Sequence, residues 1–241
     1  MKTDFLKIAV VAVVLLSTVE LWAQNRDWAQ HGRYAQANKE LPAPAKGEHR
    51  VVFMGNSITD FWIDNRPEFW KENGYIDRGI SGQTSYQFLS RFRQDVIDLK
   101  PEVVVINVGT NDCAENSHPF NPELTLGNLK SMVELAKANG IKVIVASALP
   151  ATTFSWNPVI KDAPERIKTI NKLIKQYVDE NKLPYVDYYS AMVAGPDGTM
   201  NPAYSNDGVH PTKAGYAVME PIVKAVIDKT IMIDKTIKRK K

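Results

Sequence analysis

The sequence predicts an α/β protein, a single three-layer α/β/α sandwich around a parallel sheet, and three observations predict it. Short β-type runs recur along the chain from Arg50 onward. Amphipathic stretches of helical period separate them. One run, residues 103–108, is apolar nearly throughout, as a strand covered on both faces is. Alternation of this kind implies right-handed crossovers, a parallel sheet and helices on both of its faces.

Taken in order, the strands are residues 51–54, a weaker one over 75–80, then 103–108, 141–146 and 185–188. The helices between them are residues 84–99, 123–139, 165–181 and 212–233. The second ends at Gly140, a C-terminal stop just before the fourth strand. The third sets Ile167, Ile170, Ile174 and Tyr177 or Val178 on one stripe. Pro211 opens the last. The domain is expected over residues 50–233, with no internal repeat or low-complexity tract.

The 241 residues suit one domain plus processing segments. At 44% hydrophobic and 24% charged, the composition supports a packed core. The net charge of +3 resides in residues 234–241, which hold five basic side chains against one acidic. That tail reads as a solvated end, and no basic face for nucleic acid is expected. Residues 1–23 read as a signal peptide: Lys2 and Lys7 flank the start, residues 8–16 are unbroken apolar, and Ala23 offers a small cleavage residue. Ser17, Thr18 and Glu20 cut that run short of a membrane span, so no integral membrane segment is expected in the mature chain. Export to the periplasm or beyond the cell follows. Residues 24–49 form an N-terminal extension, polar with scattered aromatics and broken near Pro42 and Pro44.

Cys113 is the single cysteine, so an intrachain disulfide is excluded and a buried, inert thiol is expected. His31, His49, His118 and His210 show no ligand spacing, and no metal site is expected; His31 and His49 read as surface residues.

In an open parallel sheet, reactive groups gather where strand C-termini meet loops. The first strand leads into Gly55-Asn56-Ser57-Ile58, the second into Gly79 to Gly82, the third into Gly109-Thr110-Asn111-Asp112. Beyond the fifth comes Asp207-Gly208-Val209-His210. These loops supply the parts of acyl transfer. Ser57, at a strand-to-helix turn, is the candidate nucleophile, and its own N–H can face an oxyanion. Gly82 admits close backbone approach, and the Asn111 amide can donate to the same oxygen. His210 is the candidate base, and Asp207 the acid that fixes its tautomer. Asp112 reads as a brace for its loop.

In order and spacing, Gly55-Asn56-Ser57-Ile58, Gly82, Gly109-Thr110-Asn111-Asp112 and Asp207-Gly208-Val209-His210-Pro211 resemble the blocks of the SGNH/GDSL hydrolases. The similarity runs from the first strand to the last helix. It implies a flavodoxin-like five-stranded parallel sheet, no cofactor, and ester hydrolysis by Ser57, His210 and Asp207, with Ser57, Gly82 and Asn111 as the oxyanion hole. One position departs: Asn56 stands where the family carries aspartate, as in what looks like a secreted bacterial subgroup.

Residues 113–122 and 150–162 are long, polar insertions with isolated aromatics, and neither is a broad apolar lid. Trp62, Phe154 and Trp156 are the candidate substrate-binding aromatics, with ordinary packing as the competing reading. An open, polar cleft favours a small acyl group on a sugar, hence a carbohydrate O-acetylesterase acting on a small-molecule or glycan ester. The alternatives are a lysophospholipase or platelet-activating-factor-acetylhydrolase-like esterase, and a noncatalytic glycan-binding module. Oligomeric state is not legible.

Overall fold

The computed structural model describes residues 27–238, with side chains as far as Met232. The signal-peptide reading therefore falls outside the described residues. Five strands, β1 (Val51–Gly55), β2 (Ile76–Gly79), β3 (Val103–Asn107), β4 (Lys142–Ala146) and β5 (Tyr185–Val186), form one sheet in the order β2-β1-β3-β4-β5, every pairing parallel. This is the flavodoxin-like order, and it puts the C-terminal ends of β1 and β3 side by side.

Successive residues of each strand serve opposite faces. Val52, Met54, Val104, Ile106, Val143 and Val145 join one buried cluster, under α5 (Ser85–Asp95), α7 (Pro122–Ala138) and α8 (Ala163–Glu180). Val51, Phe53, Val103, Val105 and Ile144 join a second, under α3 (Trp62–Asn65), α4 (Pro67–Asn73), α9 (Tyr188–Met192) and α10 (Lys213–Lys238). The remaining short helices are α1 (Ala35–Glu40), α2 (Ser57–Asp60) and α6 (Thr110–Cys113).

The long helices begin on local signals. Asn121 caps α7, its Oδ1 accepting from Leu124 N–H at 3.1 Å, with Pro122 in the first turn. Thr84 and Gln87 form a capping box on α5. The helix expected over 84–99 is two pieces: α5 stops at Val96, and a 3₁₀ turn, Ile97–Leu99, follows ahead of Pro101. The residue before a proline disfavours helical backbone, and Lys100 adopts φ +51° there. α10 runs on to Lys238, past the expected end at 233.

The N-terminal extension is laid over α5 and the β2 edge by hydrogen bonds. Ala29 O accepts from Gln83 Nε2 at 2.7 Å, and His31 O from Gln94 Nε2 at 2.7 Å. Asn38 Nδ2 donates to Asp95 at 2.6 Å, and the Tyr34 hydroxyl donates to Gly79 O. Within the extension, α1 contains no buried residue, so polar contacts rather than apolar burial hold that turn. Among the described residues, no helix is long and apolar enough to cross a membrane.

Candidate active site

Ser57 opens α2 directly after β1, and the neighbouring Asn56 caps that helix: its Oδ1 accepts from Ile58 N–H at 3.0 Å. Asparagine thus performs the cap that an aspartate in its place would perform. The turn is tight. A Cβ on Gly55 would lie 2.0 Å from Thr59 Oγ1, and one on Gly79 would lie 2.2 Å from Asp60 N. Glycine at both positions lets α2 sit on the ends of β1 and β2.

Ser57 is 5% exposed, and its Oγ lies 2.9 Å from His210 Nε2. His210 Nδ1 lies 2.6 Å from Asp207 Oδ2. With Nδ1 donating to the carboxylate, Nε2 is left to accept from the serine. Asp207 Oδ1 accepts from the backbone N–H of His210 at 2.8 Å and of Val209 at 2.9 Å, and from Ser205 Oγ at 3.1 Å. Partial burial pushes this carboxyl upward, but the His210 ring and those two N–H groups outweigh it and hold the pKa at about 2. Asp207 is therefore ionised throughout the neutral range.

Gly82 and Asn111 come to the same cleft from the β2 and β3 ends. Gly82 has φ +79°, and a Cβ there would meet nothing within 4 Å. Glycine is therefore called for by the left-handed backbone, and any side chain would project into the cleft space. Asn111 is 3% exposed and donates one amide hydrogen to Gln83 O at 2.9 Å, which aims the group and leaves its second hydrogen to give. Asp112 is the brace expected of it: it accepts from Ser85 N–H at 3.1 Å, from Ser85 Oγ and from Thr125 Oγ1 at 3.1 Å. Cys113 is fully buried, its thiol raised well above its ordinary pKa by that burial.

Ser57, Ser81, Gly82, Asn111, Asn116, Trp156 and His210 line a cleft of about 260 Å³. Of the three expected aromatics, Trp156 alone is in it, 43% exposed, 6.0 Å from the His210 ring and donating to Asn116 Oδ1 at 2.8 Å. Phe154 is fully buried and packs behind Trp156 at 5.5 Å. Trp62 is 2% exposed, stacked on Phe69 and Tyr216 inside the second core cluster. Both corrections have one cause: these rings complete the apolar core, and their side chains point away from the cleft. A second ring beside His210 is Phe61, 38% exposed and 5.4 Å from the imidazole. Among the residues that line the cleft, sequence reasoning passed over Ser81 and Asn116, and Asn116 also donates to Gly82 O at 3.0 Å.

Comparison with known proteins fits this geometry. The model of the GDSL-like lipase/acylhydrolase family matches residues 53–218. The chain belongs to that family. Membership places the domain among carboxylic-ester hydrolases. A crystal structure from Bacteroides fragilis is 60% identical with a TM-score of 0.84, covering 85% of this chain and 99% of its own. A GDSL-like lipase from Bacteroides thetaiotaomicron is 55% identical with a TM-score of 0.83, covering 85% of this chain and 100% of its own. An acetylxylan esterase from Xylanibacter ruminicola is 28% identical over 228 residues, 78% of this chain; the chain spans 45% of that relative's length. The family match begins just inside β1, so the extension before it lies outside what the family model describes. Among the described residues, no group of three or more His, Cys, Asp or Glu side chains is arranged to hold a metal.

Proposed function

We propose that this acylhydrolase removes short acyl groups, acetyl foremost, from a carbohydrate. The observation that carries the reading is the lining of the 260 Å³ cleft, in which, among the described residues, Trp156 is the one large apolar side chain beside serines, asparagines, glycine and histidine. A long acyl chain needs a continuous apolar wall to leave water, at roughly 0.8 kcal/mol per buried CH₂. An acetyl group needs no such wall. The likeness to an acetylxylan esterase supports the same choice.

In this reading His210 Nε2 takes the Ser57 proton as Oγ attacks the acyl carbon. The carbonyl oxygen becomes an oxyanion and receives the N–H of Ser57, the N–H of Gly82 and the free Asn111 amide hydrogen. Collapse breaks the ester bond, and His210 returns the proton to the departing alcohol oxygen. Water, deprotonated by His210, then cleaves the acyl-enzyme and restores Ser57. Asp207, ionised at neutral pH, holds the imidazole tautomer and balances the imidazolium as it forms. Export, the reading of the first 23 residues, accompanies this function, and N-terminal sequencing of the mature protein checks it.

The test is hydrolysis of p-nitrophenyl acetate, butyrate and octanoate, with Ser57→Ala as control. Turnover should fall as the acyl chain lengthens, and Ser57→Ala should lose at least about 10³-fold. Rising turnover toward octanoate would instead favour the lipid-esterase alternative. Absence of turnover in folded protein would favour a glycan-binding module.

A further inference from the structure

A second hollow, of about 530 Å³, meets the first at His210, and its walls include Phe61, Asn65, Asn206, Thr212 and Lys213. Among the described residues, His210 alone lines both hollows, with the Phe61 ring 5.4 Å and the Trp156 ring 6.0 Å from its imidazole. We propose that this second hollow is the binding site for the alcohol half of the ester, and that it takes a neutral, polyhydroxylated group such as one or two sugar rings. The inference rests on the carbohydrate-ester reading above.

Reaction geometry divides the ester between the hollows. Ser57, Gly82 and Asn111 line the smaller one, so the acyl carbonyl must enter there. The leaving oxygen must lie against His210 Nε2, since that atom returns its proton. At a tetrahedral carbon the acyl group and the alkoxy group diverge, so a bulky alkoxy group is directed away from the space that the acyl group fills. The larger one borders the same imidazole and accommodates the larger substituent.

The lining selects the chemistry. Phe61 offers a half-open ring face, the kind of surface on which sugar C–H groups stack. Asn65 Nδ2 is spent on Phe61 O at 2.8 Å, which leaves its Oδ1 to accept. Asn206 brings an exposed amide that both donates and accepts, and the Lys213 ammonium brings three donors. Sugar hydroxyls need donors and acceptors together. An anionic headgroup fits less well, because the ionised Asp207 carboxylate also lines the hollow and opposes the single lysine. A lipid alcohol would find Phe61, Pro211 and Ala214 as its apolar contacts, interleaved with Asn65, Asn206 and Lys213, and no long apolar wall.

Three variants of the full chain, Phe61→Ala, Asn206→Ala and Lys213→Ala, are compared with the parent on acetylated xylotetraose and on p-nitrophenyl acetate. Thermal melts confirm folding, and Lys213→Ala, a change at an exposed position, guards against a folding artefact in the other two. The expected result is a loss in kcat/KM on the oligosaccharide about tenfold greater than the loss on p-nitrophenyl acetate, expressed mainly in KM. Equal losses on both substrates, in an enzyme that deacetylates the oligosaccharide, would overturn the subsite and leave the carbohydrate reading standing. A parent enzyme that cleaves p-nitrophenyl acetate but not the oligosaccharide would overturn both. Selective loss on glycerophospholipid esters would reassign the hollow to a headgroup.

Discussion

At the scale of single residues, the proposed chemistry depends on how tightly Asp207 and Asn111 are aimed. Asp207 takes both the imidazole N–H and the two backbone N–H groups beside it, so Asp207→Asn preserves shape while removing the charge and the tautomer it selects. We expect kcat to drop by about 10³–10⁴ with KM little changed; steady-state kinetics on p-nitrophenyl acetate check it, and a loss below tenfold would remove Asp207 from the mechanism. Asn111→Ala should cost about 10²–10³ in kcat. The motif residues were legible in the sequence because chain order, spacing and position after strands all constrain them. Of the aromatics only Trp156 was read correctly, whereas Trp62 and Phe154 lie in the core and Phe61 was passed over. Phe61 and Trp62 are neighbours where two four-residue helices meet, and the phase of those helices decides which ring meets His210 and which the core. Periodicity has no purchase on an element that short.

Among elements, the N-terminal extension is the least expected contributor. It reaches the loop that carries Gly82 at three points: Tyr34 donates to Gly79 O, Ala29 O holds Gln83 Nε2, and Arg33 pairs with Asp60, whose other oxygen accepts from Ser81 N–H at 3.0 Å. Gln83 is also the residue whose backbone carbonyl aims Asn111, and its side-chain oxygen accepts from the fully buried Arg91 at 2.6 Å. Gln83→Ala would leave two buried groups unpaired, a cost of about 1–3 kcal/mol for each. It should lower kcat together with the urea midpoint. The same fall in urea midpoint with kcat unchanged would separate the extension from the site. The long helices and apolar strands were readable from period and stop signals. This segment was not, because hydrogen bonds from scattered polar side chains leave no periodic trace.

For the whole molecule, two carboxyls set opposite limits on stability with pH. Asp207 has a lowered pKa, so its contribution is present above the ordinary value of 3.8 and is lost as pH falls toward about 2. Because this side chain is 45% exposed, that loss should be only about 1 kcal/mol. Asp77 runs the other way: burial beside β1 raises it from 3.8 to about 7, against the opposing hydrogen bond from Gly79 N–H. The native state then binds more protons than the unfolded chain between these values, so stability falls as pH rises from about 4 to about 7. Asp77→Asn should flatten that slope in urea midpoints taken across the range, whereas parallel curves would exclude Asp77 as its source. The fold class was legible from the alternation of strands and helices, and the sheet order from the resemblance carried by four loops. The two hollows were not legible, since they form where residues far apart in sequence, such as Phe61 and Lys213, converge on His210.

The central claim is that Ser57 is an activated nucleophile. Intact-protein mass spectrometry after exposure to a fluorophosphonate near neutral pH tests it most directly. A single adduct mapped to Ser57, absent in Ser57→Ala and formed much more slowly in His210→Ala, is the predicted result. A folded protein that takes up no label, or takes it elsewhere at the same rate in all three chains, would contradict the account.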